Sequence, residues 1–212
     1  MPEPSRVAAG SIVDEILAEG RAKALVAAYF DPGSGFAGAL FDTVGEPDPF
    51  RITTDDLFAT SLLDVRFWPP AVRAIQGAEA EPISALLRQI TPDVTIWEDT
   101  SLLLGPLTEL WALLTGLPGL GPVTASKLLA RKRPHLAPIV DQVVLRMLRL
   151  PPAGSWQAIR GVLLDGERRS RLADLAPVEG VSTLRLLDVL VWMRGSGSRA
   201  ARRVRERVGC IG

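Results

Sequence analysis

Apolar residues recur along this chain at helical spacing and almost nowhere at the alternating spacing of a strand. Residues 11–30, SIVDEILAEGRAKALVAAYF, carry apolar positions at Ile12, Ile16, Leu17, Leu25 and Val26. They predict one helix, with Ser11 as N-cap and Gly20 as a weak point in its middle. The following DPGSGFAGALFDTVGEPDPF is punctuated by Pro and Gly and reads as a structured loop or hairpin. All six Phe fall between residues 30 and 67, so this loop is expected to pack on the core. Thr54 opens a helix through LFATSLLDV, with Asp55 and Asp56 complementing its N-terminal dipole, and WPP at 68–70 breaks it. Short helices follow at about 71–77 and 82–90, then a strongly apolar one near 101–115. Only DVTIW (93–97) approaches a period of two, and no internal repeat occurs. The expected fold class is all-α.

The stretch 115–149, TGLPGLGPVTASKLLARKRPHLAPIVDQVVLRMLRL, carries the most chemistry. A helix ending near Leu114 runs into Leu117-Pro118-Gly119-Leu120-Gly121, and Pro122 suits the first position of a new helix. Two glycines in so short a bend permit positive φ and leave backbone N–H groups uncovered beside a helix N-terminus, where an anion is favoured. Thr124, Lys127, Arg131, Lys132 and Arg133 follow, a hydroxyl and four cations. A phosphate backbone suits such a surface; a tight turn between antiparallel helices also selects glycine.

Composition narrows the classes. Of the 212 residues 47 % are apolar and 23 % charged, which excludes a disordered chain. The single cysteine, Cys210, excludes a disulfide framework, a cysteine zinc site and a four-cysteine iron–sulfur cluster. Neither a membrane-length apolar run nor a secretory leader is evident, so a cytoplasmic protein is expected, nucleoid-associated when bound to DNA. The net charge is zero, but residues 1–115 carry 7 Lys/Arg against 17 Asp/Glu and residues 116–212 carry 17 against 7. Either one side faces a polyanion or the charges mix on folding.

The residues LPGLGPVTASKLL followed by PIVDQVVLRML resemble the helix-hairpin-helix DNA glycosylases, of the endonuclease III-like and adenine-glycosylase-like kind. Asp141 falls 24 residues after Leu117, the spacing of that superfamily's catalytic aspartate. The match covers about 35 residues, and the whole chain also resembles an actinobacterial family without an assigned function. The resemblance implies a two-lobed helical bundle. Its expected parts are residues 1–50 packing with the C-terminal helices, a lobe over 51–150 holding hairpin and aspartate, and C-terminal helices with a basic tail over 151–212. Double-stranded DNA is the implied partner.

Roles follow residue by residue. Asp141 would stabilise the oxocarbenium-like sugar as the base departs, or orient the attacking water; it is also well placed to cap the next helix. Gly119, Gly121, Thr124, Lys127 and Arg131 would hold phosphates. Arg66, ending LFATSLLDVR, takes the place of the family's gap-filling glutamine, although the interval from Arg66 to Leu117 is shorter than in endonuclease III. The strand-cleaving lysine is replaced by Val123, and Lys127 lies one turn along, so hydrolysis without strand cleavage is expected. The carbonyls of Thr115, Leu117 and Leu120 would hold a structural Na⁺ or K⁺. The resemblance thus implies a monofunctional DNA glycosylase; the alternative is a non-catalytic DNA-binding protein on the same scaffold.

Other features admit blander readings. His135 is expected to be solvated or capping. Asp188, within LRLLDVLVWM, is either in a buried salt bridge or a second pocket carboxylate. The tail RGSGSRAARRVRERVG, with six arginines and one glutamate, is a frayed solvated helix or an added phosphate contact. Trp68, Trp97, Trp111, Trp156 and Trp192 are expected mainly in the core, with a base-stacking platform as the other option.

Overall fold

The computed structural model describes residues 3–98 and 105–210, and among these it is all-helical, with no strand. Helices α1 (Glu3–Ala18) and α2 (Ala22–Phe30) replace the single helix expected over 11–30, because the chain breaks across Gly20. Ser11 lies inside α1 and donates its hydroxyl to the Val7 carbonyl (3.1 Å) instead of capping. Helix α3 (Thr54–Ser61) is capped by Thr53, one residue earlier than expected. The Thr53 hydroxyl accepts from the Asp56 amide and the Asp56 carboxylate accepts from the Thr53 amide, a reciprocal capping box.

Helix α3 ends before WPP, and Pro69 and Pro70 instead open α4 (Pro69–Gln76), where a missing N–H leaves no bond unmade. Then come α5 (Ala80–Arg88) and α6 (Pro106–Gly116). Of the apolar segment near 101–115, residues 101–104 lie outside the described residues. DVTIW forms no strand; the Ile96 amide donates to the His135 carbonyl at 2.9 Å. The remainder is α7 (Pro122–Lys132), α8 (Gln142–Met147), α9 (Ser155–Leu163), α10 (Gly166–Ala173), α11 (Thr183–Gly195) and α12 (Arg199–Arg207).

The chain divides into two compact units, residues 40–139 and a terminal unit of 1–39 with 140–212. The borders fall ahead of the expected 50 and 150, so Asp141 and α8 belong to the terminal unit and not to that of the hairpin.

In the terminal unit α11 is buried nearly all round, with α2, α8, α10 and α12 packed on it and α1 lying along α9. Asp188 sits inside this helix and pairs with Arg185 one turn earlier. Arg185 also donates to the Tyr29 hydroxyl (3.0 Å) and the Gly38 carbonyl (2.7 Å). The salt-bridge reading of Asp188 therefore holds. Gly195, at the end of α11, permits a close approach of α8: an added Cβ would clash with the Met147 side chain.

In the unit 40–139, α3 and α6 pack on α7, and α4 and α6 on α5. Phe41, Ala59, Ala130 and Ile139 form one buried cluster, flanked by Val44 and Leu63. The expected packing of the Phe-rich segment is met by Phe41, whereas Phe50 and Phe58 are exposed.

Candidate nucleic-acid interface

The bend between α6 and α7 has the expected form. Gly119 lies at φ +79, and the Leu120 amide closes the turn on the Leu117 carbonyl at 3.1 Å. Gly121 is the N-cap of α7 and offers no side chain to its first amides, while Gly119 and Gly121 are both exposed. The bend therefore presents uncovered donors at a helix N-terminus. Thr124 stands half-buried in the first turn. The Leu117 carbonyl keeps one lone pair beyond its hydrogen bond, and the Thr115 hydroxyl folds back on the Trp111 carbonyl (2.8 Å).

Trp68 lies against this bend. A Cβ on Gly119 would sit 3.0 Å from the indole Cδ1 and Cγ, so glycine is required there by both φ and contact. Trp68 is 64 % exposed and the other four tryptophans are half-buried, a correction to the expectation of core residues.

The four cations after the hairpin are not on the surface. Lys127, Arg131, Lys132 and Arg133 are all buried. Lys127 Nζ donates to the Leu63 carbonyl at 2.7 Å. Arg131 donates to the carbonyls of Phe41 and Val44, both at 2.6 Å, and pairs with Asp56. Lys132 takes the other Asp56 oxygen at 2.6 Å and the Asp48 carbonyl. Arg133, fully buried, spends its fork on the carbonyls of Leu87, Ile90, Pro49 and Lys132. Burial pushes its pKa down to about 10, so it stays charged at neutral pH. Burial also lowers that of Lys132, with Asp56 pulling the other way.

Lys127 and Arg131 are thus corrected from phosphate contacts to internal ties. For Arg131 the physical reason is the irregular segment 41–50, whose carbonyls have no ladder to join and need donors from elsewhere, while Lys127 satisfies the Leu63 carbonyl just past the end of α3. That need was the signal in the sequence: a Pro- and Gly-rich stretch beside a packed helix requires long cationic side chains to reach it. Arg66, by contrast, is exposed as expected.

Asp141 is the N-cap of α8. Its Oδ1 accepts from the amides of Val143 (2.9 Å) and Val144 (3.0 Å), and the residue is half-buried. The capping role is therefore met. His135 is half-buried. No group of three His, Cys, Asp or Glu that could hold a metal occurs among the described residues. No described helix is long and apolar enough to cross a membrane.

Residues 22–195 match a family described as a family of unknown function (DUF6308). The chain belongs to that family. Comparison with curated proteins and with solved structures gives no match.

Folding also redistributes charge in this DUF6308 chain. The unit 40–139 has 8 Lys/Arg against 12 Asp/Glu, and the terminal unit 16 against 12. The net imbalance of ten charges in each sequence half shrinks to four in each unit, as the mixing alternative requires. With four cations buried, the exposed basic side chains of the hairpin unit are Arg51, Arg66, Arg73 and Arg88. The basic tail, expected as a frayed solvated helix or an added phosphate contact, forms the defined helix α12, capped by Ser198 and held in place by Arg205.

Proposed function

We propose that the protein binds DNA through the α6–α7 hairpin, as the resemblance to helix-hairpin-helix proteins suggests. The observation that carries the reading is Gly121 as an exposed N-cap without a side chain, following Gly119 at φ +79, so that the first amides of α7 are open to a phosphate. The grip is made by backbone donors, with Thr124 beside them, and not by the buried Lys127 and Arg131. A Na⁺ or K⁺ on the carbonyls of Thr115, Leu117 and Leu120 would stiffen the bend without entering chemistry.

Gly121→Asp tests it. The backbone at 121 is extended and nothing lies within 4 Å of an added Cβ, so Asp is accommodated and caps α7 itself. The variant should keep its melting temperature and lose affinity for a DNA duplex about tenfold, because a carboxylate then occupies the phosphate position. Unchanged affinity overturns the hairpin reading.

Hydrolysis of an N-glycosidic bond is a second reading, favoured by Asp141: a half-buried carboxylate at a helix start, 24 residues after Leu117. Asn at 141 still caps α8, so Asp141→Asn separates fold from chemistry. Base release from duplexes carrying damaged or modified bases should fall about 100-fold or more in this variant. Equal release by wild type and variant removes Asp141 from the reaction, and no release from any lesion leaves a binding protein alone.

A further inference from the structure

Helix α12 carries Arg199, Arg203 and Arg207 at i, i+4 spacing, with Arg202 adjoining Arg203. All four are exposed, and none has a hydrogen-bond or ion-pair partner among the described residues. Like charges at this spacing repel, and Glu206, three residues after Arg203 and four after Arg202, offsets only part of the positive charge of the helix. The helix is nevertheless firmly placed. Ser198 caps it by accepting from the Ala201 amide at 3.1 Å, and Ala201 and Val204 are buried. Arg205 turns inward and donates to the carbonyls of Met193 (2.6 Å) and Ser196 (2.7 Å), closing the C-terminal end of α11. Three other arginines of the terminal unit are engaged by carboxylates: Arg168 with Asp14, Arg185 with Asp188, Arg194 with Glu19.

We propose that α12 is a docking face for the phosphate backbone of double-stranded DNA, with Arg199, Arg202, Arg203 and Arg207 as its contacts. Successive members of the stripe rise about 6 Å along the helix, so neighbouring guanidiniums can address neighbouring phosphates of one strand. The guanidinium fork matches phosphate oxygens, and four unpaired cations on one rigid helix complement a polyanion. An anionic lipid surface fits less well, since the apolar side of α12 is already buried and leaves nothing to insert. Contacts confined to phosphates carry no base information, so binding is independent of sequence. This inference rests on DNA as the ligand but not on the hairpin.

The test uses the intact chain and a 20-base-pair duplex of arbitrary sequence, followed by fluorescence anisotropy across a salt series. Four phosphate contacts give a log K against log salt slope of about −3 to −4. Arg202→Gln with Arg203→Gln should flatten that slope by about 2 and weaken binding about tenfold at low salt. These side chains are exposed and make no hydrogen bond or ion pair among the described residues, so the melting temperature should not fall.

An unchanged slope and affinity overturn the inference, even where Gly121→Asp abolishes binding and the hairpin reading stands. Loss in the arginine variant with none in Gly121→Asp supports α12 and removes the hairpin. A wild-type chain that ignores the duplex but binds phosphatidylserine vesicles overturns it in favour of a lipid surface, and one that binds neither overturns it outright.

Discussion

Two arginine-rich helix segments of this chain meet opposite fates. At the end of α7, Arg131, Lys132 and Arg133 are buried and tied to carbonyls; on α12, Arg202, Arg203 and Arg207 are exposed and make no hydrogen bond or ion pair among the described residues. The two runs look alike in sequence. What separates them is the backbone each can reach. Arg131, Lys132 and Arg133 reach Phe41, Val44, Asp48 and Pro49 in an irregular stretch, and Arg133 also takes the last carbonyls around α5. Around α12 the comparable acceptors lie at the end of α11, and Arg205 takes them. A buried cation is tolerable only when its lost hydration is replaced, and here carbonyl dipoles and the one carboxylate of Asp56 replace it.

The contrast breaks most visibly at Arg133. Arg133→Ala strands several buried carbonyls at once and should lower unfolding free energy by about 3–5 kcal/mol in a urea titration. Arg133→Lys should fall between, since an ammonium cannot reproduce the fork. A loss below about 1 kcal/mol would mean that water replaces the guanidinium and that the tie is dispensable. Asp56→Ala comes next, at about 3 kcal/mol, because it leaves Lys132 and Arg131 without an anion and removes the capping box. Adding Lys132→Met to that variant should recover part of the loss, as the stranded charge goes with it.

This contrast marks what could be read from the sequence. Helix periodicity, Pro122 at the start of α7, the bend at Gly119 and Asp141 as a cap are local, set by residues within one turn of each other, and they are present as expected. The fate of Lys127 and Arg131 is not local: their partners lie 64 to 90 positions away, at α3 and in the irregular segment before it, and no local spacing ties α7 to either. The split at Gly20 was half legible, since a glycine flagged as a weakness proved to be a break. Trp68 illustrates the same limit, because an aromatic next to two prolines gives no hint that it leans on a hairpin about 50 residues on.

Smaller effects sharpen the comparison. Gly119→Ala forces a side chain to positive φ and into Trp68, and should cost about 1–2 kcal/mol. Asp14 with Arg168 is intermediate between the buried ties and the bare arginines. The Asp14 carboxylate accepts from Arg168 at 2.9 and 2.7 Å, and those hydrogen bonds hold its pKa below the ordinary value despite some burial. Because the folded pKa is the lower one, the stabilisation is complete above about pH 4 and is lost as pH falls through the folded value. Wild type should therefore exceed Asp14→Asn by a constant margin between pH 5 and 8, converging below pH 4. Solvent reaches this pair, so the margin stays below about 1 kcal/mol and shrinks in salt. A margin that grows on acidification would contradict the assigned direction.

The smallest expected effect is the most discriminating. Arg203→Gln removes a side chain without a hydrogen-bond or ion-pair partner among the described residues and relieves repulsion from Arg199 and Arg207 on the same stripe. Its unfolding free energy should stay within about 0.5 kcal/mol of wild type, on the stabilising side, and a thermal melt at low ionic strength should show this most clearly. A stability that stays level or rises shows that folding does not use this side chain, which is what the proposed phosphate contact requires of it. Should Arg203→Gln instead destabilise the protein by more than about 1 kcal/mol, the arginine has a structural task and the opposition between α7 and α12 narrows to one of degree.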